Sequence, residues 1–231
     1  MSEFLVEINW SPLWISLKTG FAATVIAFFL GIFFARLVMK MKPVSRGILD
    51  GILTMPLVLP PTVAGFILLL LFSLRRPFGA FLLDNFDIKV VQTWTGCVIA
   101  ASVIAFPLMY RNARAAFEQV DVNYIYAGRT LGLSEWTIFR KVVIPVAGPG
   151  IASGTILTFA RALGEYGATS MLAGNILGKT RTMAVAIAAE VSAQNYDVAG
   201  FWVIVLVTIA VVFIFAINII TMHGISKIQR W

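Results

Sequence analysis

The chain has 231 residues, of which 59% are apolar and 13% charged, with a mean hydropathy of +0.90. A water-soluble domain carries roughly 25% charged residues, so a water-facing globular fold is excluded and lipid is the expected solvent for one domain spanning residues 1–231. The formal net charge of +7 does not point to nucleic acid, because the basic residues sit at the ends of apolar segments, and the lone Cys97 rules out an internal disulfide framework or thiolate metal site.

A bilayer core of about 30 Å takes about 20 helical residues to cross. Five segments reach that length: 13–39, 48–72, 91–111, 149–172 and 199–222. None alternates with period two, so the spans are expected to be helices and the fold an all-α integral membrane protein. The first, with no basic stretch before it and no small-residue cleavage site, is expected to be retained rather than removed as a signal peptide. The second contains Pro56, Pro60 and Pro61, followed by Thr62. Each proline removes a backbone donor and crowds the preceding turn, which predicts a kinked helix. Such a kink either serves packing or lines a water-filled path.

Between the third and fourth spans lies a polar loop, 112–148, too long for a turn. It reads as helix Val122–Leu131, Gly132, then helix Ser134–Val143, with Ser134 as N-cap and Pro145 as stop. By pattern alone it serves as a docking element or as an anchor on the membrane surface. The fourth span holds Arg161 and Glu165, four apart and therefore on one helix face. An ion in hydrocarbon costs at least about 2.5–3.5 kcal/mol, so both are expected to face the bundle interior or water. Two readings stand: a cation beside an anion's route, held or released by Glu165, or a salt bridge that locks the fold or a subunit contact. Gly150, Gly154, Gly164, Gly167 and Ala168 permit close helix approach.

After this span, Ala173–Thr180 satisfies a relaxed Walker A pattern, but the real motif joins a strand to a helix in a soluble domain. Met183–Val191 is apolar but too short to cross, and is expected as a short or re-entrant helix. The fifth span ends at His223, the only histidine, which has no partners for a metal. With five spans and the N-terminus outside, Arg36, Lys40, Lys42, Arg46, Arg111, Arg114, Arg129, Arg140, Lys141, Lys227 and Arg230 fall inside. Arg75, Arg76, Lys89, Lys179 and Arg181 fall outside, eleven against five. Trp10, Trp14, Trp94 and Trp202 then lie near the outer headgroup layer.

The long loop carries a resemblance. Tyr126, Ala127 and Gly128, then Gly132 after three residues, then Val142, Val143, Ile144 and Pro145 after nine more, resemble the EAA–G–I-x-L-P loop of binding-protein-dependent ABC importer permeases. Tyr126 stands where Glu is usual, and Gly128 where the second Ala is usual. The stretches Met55–Phe72, Phe106–Asp121, Ala127–Gly132 and Phe159–Thr182 look like the molybdate permease subgroup, with tungstate and sulfate permeases sharing several of them. The resemblance implies that Tyr126, Ala127, Gly128, Gly132 and Pro145 belong to a coupling loop that docks on a cytoplasmic ATPase dimer. It implies that the second span, with Pro56, Pro60, Pro61 and Thr62, lines the translocation path beside Arg161 and Glu165. It also implies an extracytoplasmic molybdate-binding protein, which the loop after the fourth span would meet, and transport by alternating access.

A homodimer is expected, because five helices with one polar face do not easily enclose a path. No catalytic constellation is present, so the chain is expected to be no enzyme and to need no cofactor. Rival readings are an ATP-independent secondary transporter or channel, against which the lack of a recognisable inverted repeat argues, and a membrane assembly factor.

Overall fold

Lipid offers no partner for a backbone N–H or C=O, so an apolar chain closes those bonds within helices. A computed structural model describes residues 9–228, with side chains through Phe215; the side chains of His223, Lys227 and Arg230 lie outside the described residues. Every regular element among the described residues is helical: α1 Ser11–Met39, α2 Pro43–Val58, α3 Pro61–Phe72, α4 Pro77–Phe86, α5 Trp94–Glu118, α6 Val122–Thr130 and α7 Glu135–Ile138. The last continues through a π-helical stretch, Phe139–Val143, into α8 Ile144–Leu163; α9 Gly167–Leu172, α10 Met183–Ser192 and α11 Tyr196–Ile228 follow. Four runs are long and apolar enough to cross a membrane, namely α1, α5, Glu135–Leu163 and Tyr196–Phe215, and the pair α2 and α3 makes a fifth if its two halves count as one span.

Helices α1, α5 and α8 form the centre of the bundle. Helices in lipid gain nothing from exchanging tails for other apolar groups, so they cohere by close packing of small residues. Ala23, Ala101, Ala105 and Ala162 form one such cluster, and a Cβ on Gly154 would stand 2.6 Å from Asn112 Cβ of α5. Larger side chains close the two ends. At one end Phe117, Val120, Ile138, Phe139 and Val143 pack where the 112–148 loop emerges. At the other, Phe159, Leu163, Met183, Ala186 and Trp202 join α8 to α10 and α11.

The starts of α1, α5 and α11 lie together at this far end. Trp94 Nε1 donates to Thr19 Oγ1 at 3.0 Å, and the Trp10 ring sits edge-on 6.1 Å from that of Trp202. Ser16 Oγ accepts from Met183 N at 2.7 Å, which pins the short α10 to α1. The outward faces, with Phe21, Phe29, Ile204 and Phe215 exposed, are apolar and suited to lipid.

Three expectations need correction. The second span, expected over 48–72 as a kinked helix, is two helices meeting at 109°. Consecutive prolines explain it: Pro60 drives Leu59, and Pro61 drives Pro60, out of the helical region, and both residues are extended with ψ of 140° and 135°. The fourth span, expected over 149–172, begins earlier and stops at Leu163, so Glu165 lies off the helix. Pro145 is no stop. It sits in the first turn of α8, because the π-helical stretch bonds Ile144 N to Phe139 O and relieves the clash a proline makes with the preceding turn.

Replacing Gly154 with Leu is expected to wedge α8 from α5 and cost about 1–3 kcal/mol or more. The Tm of the detergent-solubilised protein should fall, whereas Gly148→Leu, where an added Cβ meets nothing within 4 Å, should leave it near that of the parent.

Candidate functional site

Two interrupted helices meet inside the bundle. One break is Leu59–Pro60 between α2 and α3; the other is Gly164–Tyr166 between α8 and α9. Helix α9 packs against α3, and a Cβ on Gly167 would stand 2.9 Å from Pro61 Cβ and 3.2 Å from Thr62 N. The prolines and the expected charge pair are thus brought to one place, with Pro61 and Thr62 against Gly167, two residues after Glu165. Pro56 lies apart, within α2 on an apolar cavity.

Glu165 is buried, its side chain 1% exposed, beside an Arg161 side chain that is 32% exposed. Arg161 Nη1 lies 2.6 Å from Glu165 Oε2, and Glu165 Oε1 accepts from Ala168 N at 2.7 Å. Oε2 makes no hydrogen bond, so the pairing there is ionic contact alone. The i, i+4 spacing still brings the groups together, although Glu165 has left the helix. One carboxylate therefore neutralises Arg161 and caps a free backbone donor of α9. A residue whose charge and cap both depend on the break is sensitive to any motion of the two half-helices.

The 112–148 loop forms the second part. Asp121 Oδ1 accepts from Asn123 N at 2.8 Å and Ser134 Oγ from Thr137 N at 3.2 Å, so each short helix carries its own N-cap. Gly132 holds the turn at φ +72°, a left-handed conformation that costs a side chain about 1–2 kcal/mol. Gly128 is buried, and a Cβ there would stand 2.9 Å from Ile138 Cγ1, which explains Gly in place of the more usual Ala. Tyr126 and Ala127 are exposed on the outer side of α6, and Pro145 sits apart at the start of α8. Tyr124 and Leu131 are also exposed, an apolar surface on a segment outside the spans, and Trp136 is exposed at the start of the Glu135–Leu163 run. Arg129 Nε donates to Glu135 Oε1 at 2.7 Å. That hydrogen bond, and then the charge of Glu135, push the Arg129 guanidinium above its ordinary basicity.

Sequence reasoning missed a polar network between α2 and α5. The Tyr110 hydroxyl donates to Asp50 Oδ1 at 2.7 Å, Arg114 pairs with both Asp50 and Glu118, and Arg46 pairs with Glu118. Asp50 was visible as an acid within an apolar segment, but its partners lie 60 and 64 residues away. Also missed was Arg36, whose guanidinium carbon lies 4.0 Å from the Phe139 ring centroid and 5.0 Å from that of Trp136. The stretch that mimics a phosphate loop does not act as one. It follows a helix, and the N–H groups of Lys179, Thr180 and Arg181 all turn back onto Ile176 O.

A family described as "Binding-protein-dependent transport system inner membrane component" matches residues 27–224, which include both breaks and the loop. The molybdenum transport system permease protein ModB of Escherichia coli (strain K12) is 43% identical over 179 residues, 78% of this chain and 78% of that protein. The sulfate transport system permease protein CysT of the same strain is 30% identical over 227 residues, 93% of this chain and 82% of that protein. Among solved structures, the inward-facing MetNI methionine ABC transporter shares the fold, with a TM-score of 0.72 at 17% identity over 97% of this chain and 99% of that one. The chain therefore belongs to the family of binding-protein-dependent transport system inner membrane components and has the multi-pass permease fold of ABC importers.

Proposed function

We propose that this chain is the membrane-spanning subunit of an ATP-driven importer that moves molybdate into the cytoplasm by alternating access. The observation that carries the substrate is the difference between its relatives: 43% identity to a molybdenum permease against 30% to a sulfate permease, although the latter match is longer. Tungstate or sulfate is the alternative cargo within the same reading.

The partners follow from surfaces the chain leaves uncovered. Tyr124, Tyr126 and Leu131 present apolar area outside the spans, and Trp136 adds to it at the first turn of the Glu135–Leu163 run, suited to a cleft on a cytoplasmic ATPase. ATP hydrolysis then belongs to that partner. A second copy of the chain is supported by α2, which buries no residue of its own, so one chain does not enclose a path. The excess of basic residues around the 112–148 loop supports an orientation with that loop and the C-terminus in the cytoplasm and the N-terminus outside. An extracytoplasmic binding protein would then meet the loop between α9 and α10. The pathway runs past the paired breaks, where Arg161 is held by Glu165 and is not free to bind an anion tightly; a strongly held anion would leave slowly.

Three outcomes test this reading. Uptake of labelled molybdate by cells lacking the gene should return when it is restored, be blocked by unlabelled tungstate and ignore excess sulfate; loss of sulfate uptake alone would move the assignment to sulfate. Gly132→Val should lower ATPase co-purification while the chain still inserts, because the turn it distorts holds the docking surface; unchanged co-purification would count against the docking role. Glu165→Gln, which strips Arg161 of its counter-ion, should cut uptake at least about tenfold, equivalent to about 1.4 kcal/mol, at an unchanged membrane level. Equal losses of uptake and protein would instead assign the pair to fold maintenance.

A further inference from the structure

Helix α2 is attached to the bundle unlike any other span. It buries no residue, and Val44, Ile48, Ile52, Met55 and Val58 are exposed along it. Its upper half is separated from α1 and α5 by a cavity of about 400 Å³ that is almost wholly apolar. Ile52 and Pro56 line that cavity from α2, and Ser102 of α5 lines it with a buried hydroxyl that has no hydrogen-bond partner. At its C-terminal end the helix stops at the Leu59–Pro60 break, where the chain turns by 109°. Prolines at 56, 60 and 61 remove three backbone donors around that break. At its N-terminal end it is tied to α5 by charge: Asp50 takes the Tyr110 hydroxyl at 2.7 Å and pairs with Arg114, while Arg46 pairs with Glu118, which Arg114 Nε also reaches at 3.0 Å.

We infer that α2 is a hinged gate arm of the transport path, pivoting at Leu59–Pro60 and held in the conformation seen here by a latch of Asp50, Arg114, Glu118 and Arg46. This rests on the import reading above. Of these groups only Tyr110 is fully buried; the charged side chains are 22–41% exposed. Pairs exposed to that degree are individually weak. Several together hold the arm, yet no single one is costly to break, which suits a contact remade in every cycle. Within one chain the void behind α2 leaves mainly Leu49 and Leu53 as apolar contacts that oppose the swing. A polar cavity of about 400 Å³ at the latch, lined also by Thr54 and Arg111, opens further as the arm leaves α5.

The test uses the full chain assembled in inside-out membrane vesicles. A cysteine placed at Thr54, on the latch cavity, is labelled with a membrane-impermeant thiol reagent; the native Cys97 is buried and does not compete. In Asp50→Asn and in Arg114→Gln the label should attach about three- to tenfold faster than in the parent, the range expected for breaking a coupled contact. The reversed pair, Asp50→Arg with Arg114→Asp, should slow it again. Should Asp50→Asn fail to reach the membrane, Glu118→Gln removes the Arg46 tie to α2 together with the Arg114–Glu118 pair within α5, leaves Asp50–Arg114, and should accelerate labelling in the same direction by a smaller factor. An unaltered rate in the single variants, or a reversed pair that labels as fast as they do, overturns the latch. Labelling does not depend on the cargo, so a chain that shows this charge pattern but moves no oxyanion would overturn the import reading and leave the latch standing.

Discussion

Everything in this bundle depends on one rule of the lipid solvent, that a backbone group without a partner has no water to turn to. A helix in such a solvent is broken only where protein covers the break. The chain breaks two helices and sets the breaks against each other. Glu165 supplies an acceptor to Ala168 N, and Pro60 O takes Val63 N and Ala64 N at the start of α3. The apposition needs the missing side chains of Gly65 and Gly167, because a Cβ at the former would stand 2.6 Å from Ala168 Cα. The prolines, the glycines and the buried carboxylate are one device, each tolerable because of the others.

The same solvent divides the molecule into parts that hold and parts that move. Between α1, α5 and α8 the contacts are alanine and glycine surfaces at close range, and such contacts fix spacing strictly because a single added carbon overlaps. Helix α2 has none of this. Its nearest apolar support is Leu49 and Leu53, partly buried against the loop-end cluster, and its firmest ties are ionic. Ionic ties of partly exposed groups change more readily with their surroundings than packed alanines do. A rigid three-helix body carrying one hinged, charge-held arm is the mechanical outcome.

Much of this was legible in the residues. The helical class and the loop with its Ser134 cap followed from length and polarity, because both are local properties. Arg161 and Glu165 met as their spacing required, despite the helix ending between them. The extent of the second break was not legible: a proline announces strain, but whether a helix kinks or turns by 109° depends on what receives the far half, here α9. Pro145 misled for the complementary reason. A π-turn spread over five residues absorbed it, and no pattern in Phe139–Val143 advertises that turn. The Asp50 network was invisible because a lone acid near the end of an apolar run looks like a boundary, and its meaning lies in α5.

The loop and the body are joined by the loop-end cluster and by a contact that reaches from exposed surface to a central helix. Trp136 is 58% exposed on the outer side of α7, yet Arg36 of α1 lies over both it and the buried Phe139. A guanidinium over an aromatic face is attracted most strongly where water is thin, as it is against Phe139. Displacement of Trp136 therefore bears on α1 through Arg36, and on α8 through the π-helical stretch that continues α7. The two helices that it touches belong to the close-packed body, whose small-residue contacts fix their spacing. The arm that such motion works against is α2, which lies outside that body and buries no residue. That division explains why charge, and not packing, fastens α2 at the end where the loop emerges.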